Sequence, residues 1–532
     1  MSRSLRDLLE NENSFIFTFE LVPGRSVRTR HYQEILRFLE ESPKYNLFQA
    51  FSITDNAGGH PALSPIPLGR TIKDLGLEVI IHFSCKDKNR NQLESELLAL
   101  DREGLHNLLV LTGDYPFYGY GGRAKPVFDL DSVQLLQMIT QMEKGFELPK
   151  EAPGGGVTLP AIPFYKGAVV NPFKWSLSEL WWQYIKLYKK LLAGAYFIIT
   201  QVGFYPKKWY ELRELFQVGI TRILSLFLEE PSFYQRDFDQ RAQQIPLIGS
   251  ILFLTPPLIR ALSKGKIPGI YITESLVELY RKRSNWEDLS LEICAKLAVI
   301  LKGLGYRGVH LCSFPLDYEK LLIFLEKFYH YEKNWEHYLG EFNDDRIYLE
   351  NTNGIIRGRM PCILMDTFSL EYKGKRNLFY YLNEVIHRLF FEKKTRRFFL
   401  FQKIAKAISK GKRILRFFTN VEYGIKKLLF DCQKCGDCSL WEFNYSCPQS
   451  QCAKYLLNGP CGGSIFGYCE VYPFEKRCHF VTAFERVKEK KELKKFFRPV
   501  RGDILPPRNW SLYRTSSWIN FYLLKDHRGH ED

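Results

Sequence analysis

The sequence predicts an α/β chain: a (β/α)8 TIM barrel over residues 1–330, a basic and partly helical connector over 331–430, and a small Cys-rich metal-binding domain over 431–532. Three observations carry this reading. Eight short β-branched and aromatic runs alternate with longer amphipathic stretches; polar residues recur where those runs end; and eight of the twelve cysteines fall within 47 residues.

The runs are residues 15–20 (FIFTFE), 47–54 (LFQAFSIT), 77–85 (LEVIIHFSC), 107–114 (NLLVLTGD), 165–170 (YKGAVV), 196–201 (YFIITQ), 245–253 (IPLIGSILF) and 308–314 (GVHLCSF). They are almost continuously apolar, as parallel strands covered on both faces require. Helical periodicity fills the intervals, at 31–41, 91–103, 178–192 and 291–304. Glu20 closes the first run, Thr54 and Asp55 the second, Ser84 and Cys85 the third, Asp114 the fourth and Gln201 the sixth. Any one of these alone reads as a helix cap or a satisfied core amide. In a barrel, however, all strand C-termini converge on one mouth, where active sites are built. Neither G-x-G-x-x-G nor a Walker phosphate loop follows a strand, so a dinucleotide fold is not indicated.

Composition sets the remaining bounds. With 45% hydrophobic and 25% charged residues, a disordered chain, a collagen and a coiled coil are excluded. The longest apolar stretches, such as 193–199, fall far short of the roughly 20 residues of a membrane helix. The first residues lack a secretion signal, so a cytoplasmic location is expected.

Cys432, Cys435, Cys438, Cys447, Cys452, Cys461, Cys469 and Cys478 follow the spacing C-x2-C-x2-C-x8-C-x4-C-x8-C-x7-C-x8-C. In a reducing compartment a block this dense binds metal rather than forming disulfides. Its opening resembles a ferredoxin-type run, and eight thiolates suit two [4Fe–4S] clusters. They also suit two zinc sites, although zinc ribbons use paired C-x2-C knuckles and only the first segment supplies one. Gly436, Gly459, Gly462 and Gly463 let the backbone wrap closely. Cys85, Cys294, Cys312 and Cys362 are expected to be small buried hydrophobes.

The net charge of +16 is concentrated: residues 371–430 hold 16 Lys/Arg and 4 Asp/Glu. Leu378, Leu382, Val385, Ile386, Leu389, Ile404 and Ile408 recur at helical spacing, predicting amphipathic helices with solvated basic faces. Such a stretch attracts something acidic: nucleic acid, a membrane surface, an acidic redox protein or a polyanionic substrate tail. No nucleic-acid-binding signature accompanies it, which disfavours the first.

FELVPGR at the first run, IHFSC at the third, LTGDYP at the fourth and AGAYFIITQVGF at the sixth resemble methylenetetrahydrofolate reductase, over roughly residues 10–325. KKLLFDCQKCGDC, CPQSQCAKYLLNGPCGGSIFGYCEV and the terminal TSSWINFYLLKDH resemble the C-terminal domain of that family's partner subunits in anaerobes. The chain looks like a fusion of the two.

The resemblance implies flavin-dependent reduction of 5,10-methylenetetrahydrofolate to 5-methyltetrahydrofolate. Glu20 matches the catalytic acid that helps open the five-membered ring to an iminium. Asp114 matches the Asp that contacts the pterin and tunes the flavin, and Gln201 the Gln that hydrogen-bonds the pterin. Thr54, His82, Gly113, Asp114 and Asp131 fall on flavin-contacting positions and Lys190 on the cofactor's phosphate side. The cofactor implied is FAD, with FMN as the alternative. An acid that protonates the ring nitrogen is expected to be sheltered, with a raised pKa. The family commonly has Arg where Thr112 stands, a substrate-contacting Arg where Leu316 stands, and other polar types at Lys174 and Lys186.

Clusters beside a flavin imply single electrons entering through the Cys domain from an acidic donor, a ferredoxin or an electron-transfer complex. Two other readings stay open: an NAD(P)H-dependent reductase with a structural zinc domain, and a non-catalytic folate-binding or electron-transfer subunit.

Overall fold

The eight apolar runs form the strands β1 Ile16–Leu21, β2 Ala50–Ile53, β3 Val79–Ser84, β4 Asn107–Leu111, β5 Tyr165–Val170, β6 Phe197–Thr200, β7 Leu247–Leu252 and β8 Gly308–Cys312. In this computed structural model they close a parallel barrel in chain order, β8 returning to β1 with Ile16 opposite Gly308. The structure describes residues 4–11, 14–147, 155–351, 354–364, 376–393, 395–487, 490–497 and 503–529. Every residue of β2, β3, β6, β7 and β8 is buried, because strand side chains point alternately to the barrel interior and to the helical shell.

A short helix, Leu5–Glu10, opens the chain with a Ser4–Asp7 capping box. Its Leu5 and Leu9 pack with Ile16, Ala50, Ile80, Tyr165, Phe197 and Ile248, at or near the strand starts. The helix therefore plugs the N-terminal end of the barrel and leaves the opposite end for chemistry.

Helix Tyr318–Tyr331 follows β8. The connector then runs through helix Trp335–Glu341, an antiparallel hairpin (β9 Arg346–Asn351, β10 Gly354–Arg359), and helices Leu378–Ile386, Arg396–Lys410 and Lys412–Phe430. The hairpin is a β element inside a stretch that reads as helical. Residues 371–375 of the basic stretch lie outside the described residues. The basic helices form as expected, but Leu378, Leu382, Val385, Leu389 and Ile404 are exposed. Periodicity reveals that a helix has an apolar face, not whether the fold supplies something to cover it.

The Cys-rich part has little regular structure, with the helices Pro448–Gln451, His479–Glu485, Lys494–Phe497 and Ser517–Tyr522. Its C-terminal tail folds back onto the first cysteine loop. The Asp437 carboxylate accepts from His527 N and Nδ1 at 3.0 and 2.6 Å, and Glu442 accepts from His527 Nε2 at 2.8 Å. Burial lowers the His527 pKa, but the two carboxylates win and push it up to about 9, so the imidazolium bolts the tail in place.

Candidate active site and the two cysteine sets

A cavity of about 280 Å³ occupies the C-terminal mouth of the barrel. Glu20, Thr54, His82, Gly113, Asp114, Lys190 and Gln201 all line it, brought together from five strand ends and one helix. Asp131 does not. It caps helix Ser132–Glu143, with Oδ1 accepting from Val133 N and Gln134 N, and its Oδ2 accepts from Leu457 N, Asn458 N and Asn458 Nδ2 in the Cys domain.

Glu20 differs from expectation. Burial raises its pKa, but the neighbouring imidazole of His310, with a smaller effect from His82, outweighs that, and the net shift is downward. His310 Nε2 lies 3.7 Å from Glu20 Oε2, while its Nδ1 sits 2.8 Å from Thr18 Oγ1. Ligand atoms of Glu20, His82 and His310 all lie within 4.8 Å of one another. Desolvation holds His82 down to about 4, so it is neutral at pH 7. His310 escaped the sequence reading because it sits inside the eighth run rather than at its end; its signal is a lone ionisable group within an apolar strand.

The other mouth residues divide into free and committed groups. Asp114 Oδ2 accepts from Gly58 N at 2.7 Å, holding the turn after β2. Gln201 Oε1 accepts from Val202 N at 2.9 Å, and the residue lines the cavity. Gly113 has φ +87° and packs on Lys86, a conformation in which a side chain is strained. Asp55 ties β2 to β3 by accepting from Ser84 N, Ser84 Oγ and Lys88 Nζ. Lys190 donates to Val169 O, and burial first, then the charge of Lys186, holds its pKa well below the usual lysine value.

Part of the cavity wall comes from the Cys domain: Lys454, Pro460, Cys461, Gly462, Gly463 and Glu470. Buried barrel side chains grip this loop by its carbonyls. Asn171 Nδ2 and Lys174 Nζ both donate to Gly462 O at 2.9 Å, and Lys174 also to Ser464 O at 2.9 Å. Lys186 donates to Gly459 O and Pro460 O at 3.2 and 3.0 Å. Lys174 and Lys186, which depart from the family pattern, thus serve the second domain. Lys454 crosses the other way, donating to Gly113 O at 2.6 Å while paired with Glu470.

The eight cysteines separate into two groups of four. Cys432, Cys435, Cys438 and Cys447 surround one small cavity, with Glu422, Lys426 and Arg508. Cys452, Cys461, Cys469 and Cys478 form the second group, each within electrostatic reach of another member. Among the described residues no three sulfurs lie within 4.8 Å of one another. Cys85, Cys294, Cys312 and Cys362 are buried and take part in no disulfide among the described residues, and burial raises the thiol pKa of the first three.

Two family models match the chain: Methylenetetrahydrofolate reductase over residues 4–229, and Methylene-tetrahydrofolate reductase C terminal over residues 413–511. Barrel and matches together define a folate-metabolising oxidoreductase. More particularly, the chain carries a methylenetetrahydrofolate reductase domain and that family's C-terminal domain on the same polypeptide. No curated protein matches it. Similar solved structures include an uncharacterized protein from Clostridium thermocellum that binds two copies of 5-methyl-5,6,7,8-tetrahydrofolic acid (12% identity, 62% of this chain and 99% of that chain, TM-score 0.40). Another is 2,3-dimethylmalate lyase (11% identity, 62% and 85%, TM-score 0.31). No helix among the described residues is long and apolar enough to cross a membrane.

Proposed function

We propose that the chain reduces 5,10-methylenetetrahydrofolate to 5-methyltetrahydrofolate at a flavin in the barrel mouth, fed by two [4Fe–4S] clusters in the Cys-rich domain. The observation that carries this reading is the shared cavity: Cys461 lines the same space as Glu20, Asp114 and Gln201. Such an arrangement has no purpose for a structural metal knuckle remote from the chemistry. It also speaks against a mere folate-binding subunit.

The residues present fit a flavin. Thr54 Oγ1, His82 Nε2 and Gln183 Nε2 are buried without a hydrogen-bond partner among the described residues, and all three residues line the cavity. A ring edge that alternates carbonyls and N–H groups would satisfy them. FAD is the cofactor the family implies; FMN is the alternative. The cysteine sets fit clusters better than zinc, because tetrahedral Zn–S bonds would draw four sulfurs to about 3.8 Å of one another. When bound, the flavin supplies a hydride equivalent and the clusters supply electrons one at a time.

The chain's own residues supply the rest. Ring opening of the folate needs a proton on nitrogen, and Thr18, His310 and Glu20 line up to hold one. His310 lies close enough to Glu20 to share that proton, so the acid's role does not rest on an isolated carboxyl. The Gln201 amide meets the amide edge of the pterin, and Asp114 accepts from its amino group. The Cys domain, seated on the mouth, excludes water from the reacting centre. Because Lys174 and Lys186 serve that domain, the electrons are assigned to a ferredoxin-like donor and not to NAD(P)H.

Anaerobically purified protein is expected to carry flavin with about eight irons and eight sulfides per chain. Glu20→Gln should abolish folate reduction while leaving flavin content and flavin reduction intact. Folate turnover near the wild-type rate in that variant would remove Glu20 from the mechanism, and stoichiometric zinc without iron would replace the relay with a structural site.

A further inference from the structure

Among the described residues nothing covers an apolar face on the connector helices. On Lys412–Phe430, Ile414, Phe417, Val421, Ile425 and Leu428 recur at three- and four-residue spacing, and all are exposed, Phe417 at 68% and Leu428 at 86%. Leu378, Leu382 and Val385 repeat the pattern on helix Leu378–Ile386, Leu378 at 85%. Contiguous apolar surface of this kind marks an interaction site.

Its charge identifies the visitor. Arg413, Arg416 and Lys427 are exposed beside the stripe, and Arg396, Arg397, Lys403, Lys406 and Lys410 are exposed on the preceding helix. The acidic residue of Lys412–Phe430, Glu422, is buried on the opposite side, bonded to Lys426, Ser516 and Ser517. A second copy of the chain would bring positive against positive. An acidic protein with an apolar contact centre is complementary.

Its position says what the visitor brings. The buried side of Lys412–Phe430 places Glu422, Lys426 and Phe430 around the cavity of the Cys432, Cys435, Cys438 and Cys447 set. Anything seated on the outer side is about one helix diameter, ~10–12 Å, from those thiols. Between this helix and the segment 383–391 lies a second cavity of about 110 Å³, walled by Ile386, Phe391, Ile425 and Trp441 and reaching Cys438.

We propose that this face docks an acidic one-electron carrier protein, which inserts an apolar side chain into the cleft at Cys438 and delivers electrons to the first cysteine set. The proposal rests on the cluster reading above. Per folate, two reduced carriers each lose one electron, two protons come from solvent, and one methylene carbon becomes a methyl group.

The test uses full-length, anaerobically purified holoprotein and an acidic two-cluster ferredoxin as the probe. Binding is measured by calorimetry across a salt series for the wild type, Phe417→Asp/Leu428→Asp, Arg413→Glu/Arg416→Glu, and the control Leu226→Asp, an exposed residue of barrel helix Ile220–Leu228. Iron content and circular dichroism of each variant confirm that it is folded and loaded. Both double variants should bind about tenfold more weakly or worse, the charge variant with a shallower salt dependence, and the control should be unchanged. Reduction by dithionite, which needs no docking, should be equal in all four. Wild-type affinity in both double variants overturns the proposal. So does loss of binding only to phosphatidylserine vesicles, or concentration-dependent self-association that the apolar variant relieves. Zinc in place of iron would overturn the cluster reading by itself, and variant-sensitive ferredoxin binding in that same sample would still support the surface.

Discussion

The two cysteine sets have the same number of thiols and opposite surroundings. The set of Cys452, Cys461, Cys469 and Cys478 is stitched to the barrel: carbonyls of its loop are held by Asn171, Lys174 and Lys186, and Cys461 reaches the mouth cavity. The set of Cys432, Cys435, Cys438 and Cys447 is held by parts of its own domain and the connector, through Lys426 near Cys438, Arg508 on Asp437 O, and the His527 bolt on Asp437. One set faces the chemistry and the other faces outward beneath an uncovered helix. For the proposed relay the difference implies a direction, from the outer set to the inner and on to the mouth.

Substitution in one set and then the other should break this symmetry most sharply. Cys461→Ser and Cys435→Ser should each reduce the iron count from about eight to about four per chain. Photochemical reduction of the flavin bypasses both sets, so Cys435→Ser should then keep full folate reduction. Cys461→Ser should also disturb the mouth itself. Equal turnover of both variants under photoreduction would mean that Cys461 does not shape the mouth.

Titration of two histidines sharpens the same contrast. His527, on the outer side, has a folded pKa of about 9 against about 6.5 unfolded. Its stabilisation is complete below pH 6.5 and is lost as the pH rises through 9, about 3 kcal/mol in all. His82, at the mouth, has the opposite sign: it is held neutral with a folded pKa of about 4, so its contribution is present above pH 6.5 and lost as the pH falls through 4. Denaturant melts across pH should show both limbs, and His527→Gln should flatten only the alkaline one. An alkaline limb unchanged in that variant would remove the bolt.

The sequence discloses features that are local in the chain. Glu20, Thr54, Asp114 and Gln201 are legible because each ends an apolar run, and barrel topology carries run ends to one place. The cysteine block is legible by spacing, but its division into two sets is not, since C-x4-C between Cys447 and Cys452 gives no hint that the boundary falls there. The downward shift of Glu20 depends on His310, 290 positions away and inside a strand, so no local pattern could announce it. Lys174 and Lys186 read as departures from a flavin-side pattern because their true partners, the carbonyls of Gly459, Pro460 and Gly462, belong to another domain. The connector fails differently: periodicity found the helices, but coverage of an apolar face is decided by the whole assembly.

Lys174→Met is the gentlest probe of the seam between barrel and inner set. The substitution keeps the apolar stem and removes an ammonium that donates to Gly462 O and Ser464 O. Each carbonyl retains one donor, Asn171 Nδ2 on Gly462 and Tyr271 OH on Ser464, so neither is left bare. Two charge-assisted bonds are lost, but the cost of burying an ammonium disappears with them. The net destabilisation should be only about 1–2 kcal/mol, read as a small drop in unfolding midpoint. Function should respond more than stability, because the loop bearing Cys461 loses one of its clamps at the cavity wall. Electron arrival at the mouth should slow while reduction of the outer set by the same donor does not, and equal rates at both sets would mean that Asn171 and Lys186 hold the loop without help.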